Sequence, residues 1–164
     1  MASIASLISS GTEILFGLGL GEQVVAVSHE CDFPSEVANR TRVTWSNVDS
    51  QSSSEQIDEQ VKKLAASGAA LYDFDRTALL RLAPTFIVTQ AACDVCAVRY
   101  QDVVDFVRSE PALEGTSVIA LNPRSLQDVF ADILRIGESL NATSRANEYV
   151  HQLLQRISGI QNHV

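Results

Sequence analysis

At 164 residues, with 46% of them hydrophobic and 20% charged, the chain has the size and balance of one globular domain with a proper core. A net charge of −8 leaves nothing to neutralise a run of phosphates, so no nucleic-acid partner is expected and an anionic membrane surface is disfavoured. No apolar run approaches the roughly 20 residues that cross a bilayer. A strand begins almost at the first residue, with no basic and apolar leader before it. That suggests a cytoplasmic protein, or one from which an export signal has been removed.

Residues 3–20, SIASLISSGTEILFGLGL, set the organisation. Ile4, Ala5, Leu7 and Ile8 form a short apolar run of the kind buried on both faces of a parallel sheet. Ser9, Ser10, Gly11 and Thr12 read as a polar turn, and Glu13 to Leu18 as a helix stopped by Gly19 and Gly21. A strand, a small polar turn and a helix N-terminus together leave backbone N–H groups at the strand's carboxyl end. That is where ligands sit in open α/β sheets.

A second strand, VVAV at 24–27, leads into the loop Ser28-His29-Glu30-Cys31-Asp32-Phe33-Pro34. Residues 42–45 suggest a short third strand. After a Ser-rich loop, Ser52 and Glu55 have capping-box spacing for a helix carrying Ile57, Val61 and Leu64 and closing at Gly68. Asp75 is placed to cap a short helix that Pro84 ends. Phe86, Ile87 and Val88 form the next buried strand, which runs into a loop containing Gln90, Cys93, Asp94 and Cys96. Residues 100–108 read as a helix with Val103, Val104 and Val107 inward, and 118–121 as the last strand.

Ser125 and Asp128 cap a helix with the stripe Leu126, Val129, Phe130, Ile133, Ile136 and Leu140, ended by Asn141. A final helix from Thr143 or Ser144 carries Tyr149, Val150, Leu153, Leu154, Ile157 and Ile160. That stripe must be buried against its own domain, another domain or a second copy, so a homodimer through this helix is one expectation. The fold class is α/β: a Rossmann-like open parallel sheet of four to five strands with helices on both faces, plus a long C-terminal helix.

The strongest local chemical signal is Cys93-x-x-Cys96, with His29 and Cys31 elsewhere. If the strands before these two loops flank the first strand, the loops are roughly 10 Å apart and can meet. Cys31, Cys93, Cys96 and His29 would then make a Cys3His set suited to zinc or copper(I). The same residues allow a Cys93/Cys96 dithiol in a cytoplasmic redox protein, or a metal-sensing or storage domain. A Cys–His nucleophile lacks any recognisable orienting carboxylate or oxyanion turn, and no G-x-G-x-x-G or P-loop is present. Trp45, Tyr72 and Phe74 could stack on a flat ligand or pack in the core.

Three segments, SLISSGTEILFGLGLGEQVVAVSHECDFP, LLRLAPTFIVTQAACDVCAV and VIALNPRSLQDVFADILRIGESL, resemble the cobalamin-type branch of the ABC-transporter substrate-binding proteins. These are the helical-backbone metal receptors, a group that includes siderophore and haem binders. The resemblance implies a non-enzymatic, periplasmic or extracytoplasmic binding protein that delivers cobalamin or a related metal chelate to an ABC permease, with no cofactor required. It implies that residues 1–141 are the amino-terminal ligand-binding lobe and 142–164 the start of the interlobe helix, the second lobe being absent. Ser10, Thr12, His29, Cys31, Asp32, Trp45, Gln90 and Cys93 would then face the ligand. Ser9 stands where the family commonly has proline, and residues 47–73 look longer than in the smallest members, long enough to cover the cleft.

Overall fold

The computed structural model describes residues 2–93 and 96–161. Five parallel strands form the central sheet: β1 (Ile4–Ser6), β2 (Val24–Val27), β3 (Thr41–Arg42), β6 (Phe86–Gln90) and β7 (Ser117–Leu121). Their order is β3-β2-β1-β6-β7, which puts β1 at the centre. Two further strands, β4 (Thr44–Ser46) and β5 (Tyr72–Phe74), pair antiparallel beside that sheet, Thr44 opposite Phe74 and Ser46 opposite Tyr72. The expected third strand at 42–45 is therefore two strands. Val43, fully buried, turns the chain from one sheet to the other.

Alternation along β1 divides the core in two. Ile4 faces one side with Val24, Val27, Val88 and Ile119, covered by α1 (Ser9–Gly17), α5 (Leu126–Ser139) and α6 (Thr143–Gln161). Ala5 and Leu7 face the other with Ala26 and Ile87, covered by α3 (Arg76–Leu82) and α4 (Tyr100–Ser109). Phe74 and Phe106 meet edge to face on that second side at 5.4 Å. Phe106 is buried in α4, whereas Val104 and Val107 are only half-buried, so the inward residues are Val103 and Phe106.

Helix ends follow local chemistry. Asp75 accepts from the Ala78 amide and Ser125 from the Asp128 amide, as expected. The capping box of α2 (Ser54–Ser67) sits one residue later than its spacing suggested. Ser53 accepts from the Gln56 amide, and the Gln56 side chain accepts from the Ser53 amide. No residue of α2 is fully buried, and its stripe of Ile57, Val61 and Leu64 is half-covered.

In α5, Ile133 and Ile136 are buried, whereas Leu126, at the start of the expected stripe, is 49% exposed. In α6, Tyr149, Val150 and Leu153 pack on the core while Leu154 and Ile160 stay exposed. The stripe is thus used along its first half. Asp94, which lies within the cysteine loop in the sequence, and residues 162–164 lie outside the described residues.

The α5–α6 joint is tight at Gly137. A Cβ there would come within 2.4 Å of the Ala146 Cβ and 3.3 Å of the Ala142 carbonyl oxygen. Neither neighbour is a flexible side-chain end, so the helices would have to separate. Gly137→Ala is expected to lower the stability of the chain by about 1–3 kcal/mol, read from the urea midpoint. An unchanged midpoint would show that the joint is loose.

Candidate functional site

The crossovers reverse direction beside β1. The chain leaves β1 towards β2 and β3, then returns on its other side to build β6 and β7. The loops following β1 and β6 diverge there, and an open α/β sheet forms its ligand crevice at such a switch point. A partly open recess of about 60 Å³ occupies that place, lined by Leu7, Ile8, Ser9, Ser28, His29, Glu30, Thr44, Tyr72, Cys96, Ala97 and Val98. Four segments contribute: the β1–α1 junction, the loop after β2, the β4–β5 pair and the loop after β6. The recess can hold a few waters or one substituent of a larger ligand.

The β1–α1 junction forms one wall. Helix α1 begins at Ser9, not after a turn at 9–12, and Ile8 supplies no side-chain cap. No acidic residue stands in its first turn, so the helix presents uncapped N–H groups and its positive end beside the recess. Gly11 permits this approach, because a Cβ there would lie 2.8 Å from Val88 Cγ1 and 3.2 Å from Ser6 Oγ.

The floor is a hydroxyl network centred on Thr44. Its Oγ1 lies 3.0 Å from Ser28 Oγ, 3.0 Å from the His29 amide and 2.6 Å from His29 Nδ1. A hydroxyl has one proton to give. Every partner is satisfied when Thr44 donates to Nδ1 and accepts from the Ser28 hydroxyl and the His29 amide, while Ser28 accepts from the Glu30 amide. The ring's other nitrogen, Nε2, is buried and lies 3.1 Å from Glu30 Oε1, out of line for a hydrogen bond. It keeps its hydrogen-bonding capacity. Tyr72 stands beside the imidazole at a centroid separation of 5.7 Å.

Behind the floor the polypeptide is locked. Arg42 Nη1 donates to the Ser28 carbonyl at 2.8 Å and to the Cys31 carbonyl, clasping the turn that carries His29. Thr12 Oγ1 lies 3.1 Å from Cys31 Sγ, both of them buried, and this contact ties α1 to the same turn. Burial pushes the Cys31 thiol above its ordinary range, against the lowering effect of the Thr12 contact and the Ser28 backbone.

The sequence-derived residues separate into two groups. His29 and Cys96 line the recess, and Ser10 is exposed on the first turn of α1. Thr12 and Cys31 are buried against each other, and Thr12 Oγ1 also donates to the Ile8 carbonyl at 3.3 Å. Gln90 accepts from the Ala92 and Cys93 amides at 2.7 and 2.8 Å and donates to the Cys93 carbonyl, so its side chain shapes its own loop. Asp32 is exposed beyond the turn. Trp45 is 44% exposed and donates to Asn47 Oδ1, while its neighbour Thr44 reaches the recess. Phe74 belongs to the core.

The four-ligand metal set of His29, Cys31, Cys93 and Cys96 is not assembled. Cys93 and Cys96 are joined as a disulfide and Cys31 lies in the core. Among the described residues no three His, Cys, Asp or Glu side chains gather as metal ligands. The donor set therefore does not fit zinc. Thr44 was missed because a lone threonine in a three-residue strand carries no periodic or spacing signal.

No protein-family model matches the chain, and no curated protein matches it. Solved structures do. A possible iron-binding (periplasmic solute-binding) protein from Staphylococcus epidermidis is similar over 99% of this chain and 51% of its own, with 21% identity and a TM-score of 0.71. The periplasmic heme binding protein HutB of Vibrio cholerae is similar over 98% of this chain and 49% of its own, at 20% identity and a TM-score of 0.68. The periplasmic vitamin B12 binding protein BtuF of Vibrio cholerae aligns over 99% and 50%, at 19% identity and 0.63. The chain spans about half the length of these structures and shares their fold over that span.

Thr44→Val removes the hydroxyl that serves three partners and leaves them unsatisfied. It is expected to cost about 1–3 kcal/mol in urea unfolding, with an unchanged denaturant slope. A separate expectation concerns alkali. The folded chain holds the Cys31 proton above the ordinary value of 9.0, while the unfolded chain releases it there. The stabilisation is thus fully present below about pH 9 and is lost as pH rises through the folded value. Urea midpoints taken at about pH 8 and about pH 10.5 should fall further for the wild type than for Cys31→Ala. Equal falls would remove Cys31 from the alkaline transition.

Proposed function

We propose that the chain is the amino-terminal ligand-binding lobe of an extracytoplasmic solute-binding protein that presents a metal chelate, of the cobalamin, haem or siderophore kind, to an ABC permease. The observation that carries this reading is the meeting of four segments around His29 at the switch point of the sheet, in a fold that periplasmic receptors for iron, heme and vitamin B12 share over nearly all of this chain. Binding rather than catalysis is favoured by the site's chemistry. Its polar groups are spent on fixing the floor, and its walls are apolar or aromatic, as a flat macrocycle needs.

On this reading His29 Nε2 and the open end of α1 are the polar anchors, and Tyr72 is an aromatic wall. Helix α6, whose Leu154 and Ile160 face solvent, is the connection on which a second lobe sits. An acidic chain does not oppose a largely neutral ligand of this type.

Trp45 is the sole tryptophan and adjoins the recess-lining Thr44, so its emission reports on binding. Titration of the chain with hemin and with cyanocobalamin is expected to quench that emission saturably for one of them, in the micromolar range. His29→Ala and Tyr72→Ala should each weaken the effect by about tenfold, about 1.4 kcal/mol. No quenching by either probe, or equal quenching in both variants, would defeat this assignment.

A further inference from the structure

The Cys93–Cys96 disulfide is not used by the binding reading, yet it lies where that reading places the ligand. On one side of the bridge, Cys93 is fixed to the sheet. Gln90, buried at the end of β6, holds its amide at 2.8 Å and also its carbonyl. On the other side, Cys96, Ala97 and Val98 form one wall of the recess. The bridge is therefore a covalent strut between a rigid strand end and a ligand-facing wall. Beyond the wall, Arg99 donates to the Gly68 and Ala69 carbonyls at 3.1 and 3.0 Å, carrying the connection to the end of α2.

We propose that this disulfide is a redox switch on the recess: oxidised, it holds the 96–98 wall in place; reduced, it releases that wall and lowers affinity for the bound chelate. The inference rests on the binding reading for its ligand and on the bridge alone for its conformational part. A dithiol reductant, of the small-molecule or thioredoxin-like class, supplies two electrons and two protons. The S–S bond breaks, Cys93 and Cys96 become thiols, and the donor becomes a disulfide.

Three features suit the bridge to that role. Cys96 is exposed and Cys93 only partly buried, so a reductant has access. The third cysteine, Cys31, is 1% exposed and held as a thiol by burial, which keeps it out of exchange with the pair. The bridge also closes a segment of sequence separation 3, too short to staple the fold, so reduction changes the wall and leaves the core standing.

The test compares the oxidised chain, the chain reduced and then alkylated at both thiols, and the double variant Cys93→Ser/Cys96→Ser. Amide hydrogen exchange is the ligand-free measurement. Breaking the bridge should raise exchange at residues 96–98 about tenfold, with β1, β2 and α5 unchanged. Hemin and cyanocobalamin titrations of the same three forms should show affinity at least about tenfold lower in the two bridge-free forms. Unchanged exchange at 96–98 would overturn the switch, as would equal affinity of a bound probe in all three forms. Binding of neither probe by any form, alongside altered exchange, would instead strike the receptor assignment and the ligand half of this inference, leaving the strut itself standing.

Discussion

The structure depends on β1 being paired on both sides. Three residues, Ile4, Ala5 and Ser6, carry parallel ladders to β2 on one edge and β6 on the other, and none of them is exposed. So short a strand is held by its neighbours and by the core above and below, not by its own propensity. Its central place decides where loops can meet. The segments after β2 and β6 emerge either side of it, and the junction with α1 lies between them. A site distributed over residues 7–9, 28–30, 44, 72 and 96–98 follows from that one constraint.

Around this centre the polar groups divide by task. Thr12, Cys31, Arg42 and Gln90 are engaged with the chain itself, each fixing a loop. Thr44 does the same for the His29 ring and so determines which nitrogen remains for a partner. Any binding site gains from this, because groups already ordered in the free protein cost no further entropy when a ligand arrives. The unusual investment is the β4–β5 pair. It brings Tyr72, from 27 residues beyond Trp45 in a region otherwise lying outside the main sheet, against His29.

Much of this was legible in the sequence. The buried runs at β1, β2, β6 and β7 and the stripes of α5 and α6 are periodic patterns, and the caps at Asp75 and Ser125 are side-chain chemistry readable at fixed offsets. The convergence of the loops after β2 and β6 followed from assuming that both strands flank the first. The candidate site was less legible, for one physical reason. Gln90, Thr12 and Cys31 are chemically suited to a ligand, and only three-dimensional neighbours reveal that their capacity is already used. Conversely Thr44 gains its role from a strand pairing of three residues, too short to leave a period-2 signature, and the same pairing decides that Tyr72, of the three aromatics named as stacking candidates, stands beside His29.

The size of the recess bears on how the site can work. Pockets that engulf a drug-sized molecule run to roughly 300–1,000 Å³, whereas this one is near 60 Å³. If the proposed ligand is a chelate, a recess of this size would take an edge or substituent of it and leave the face of the macrocycle across its rim. Contacts from one wall can contribute only part of the binding free energy. If about half of a nanomolar interaction came from this surface, the remainder would correspond to a dissociation constant in the tens of micromolar. At that level the placement of each wall would matter to occupancy, and the proposed role of the Cys93–Cys96 tie beside the 96–98 wall is a consequence of that small surface.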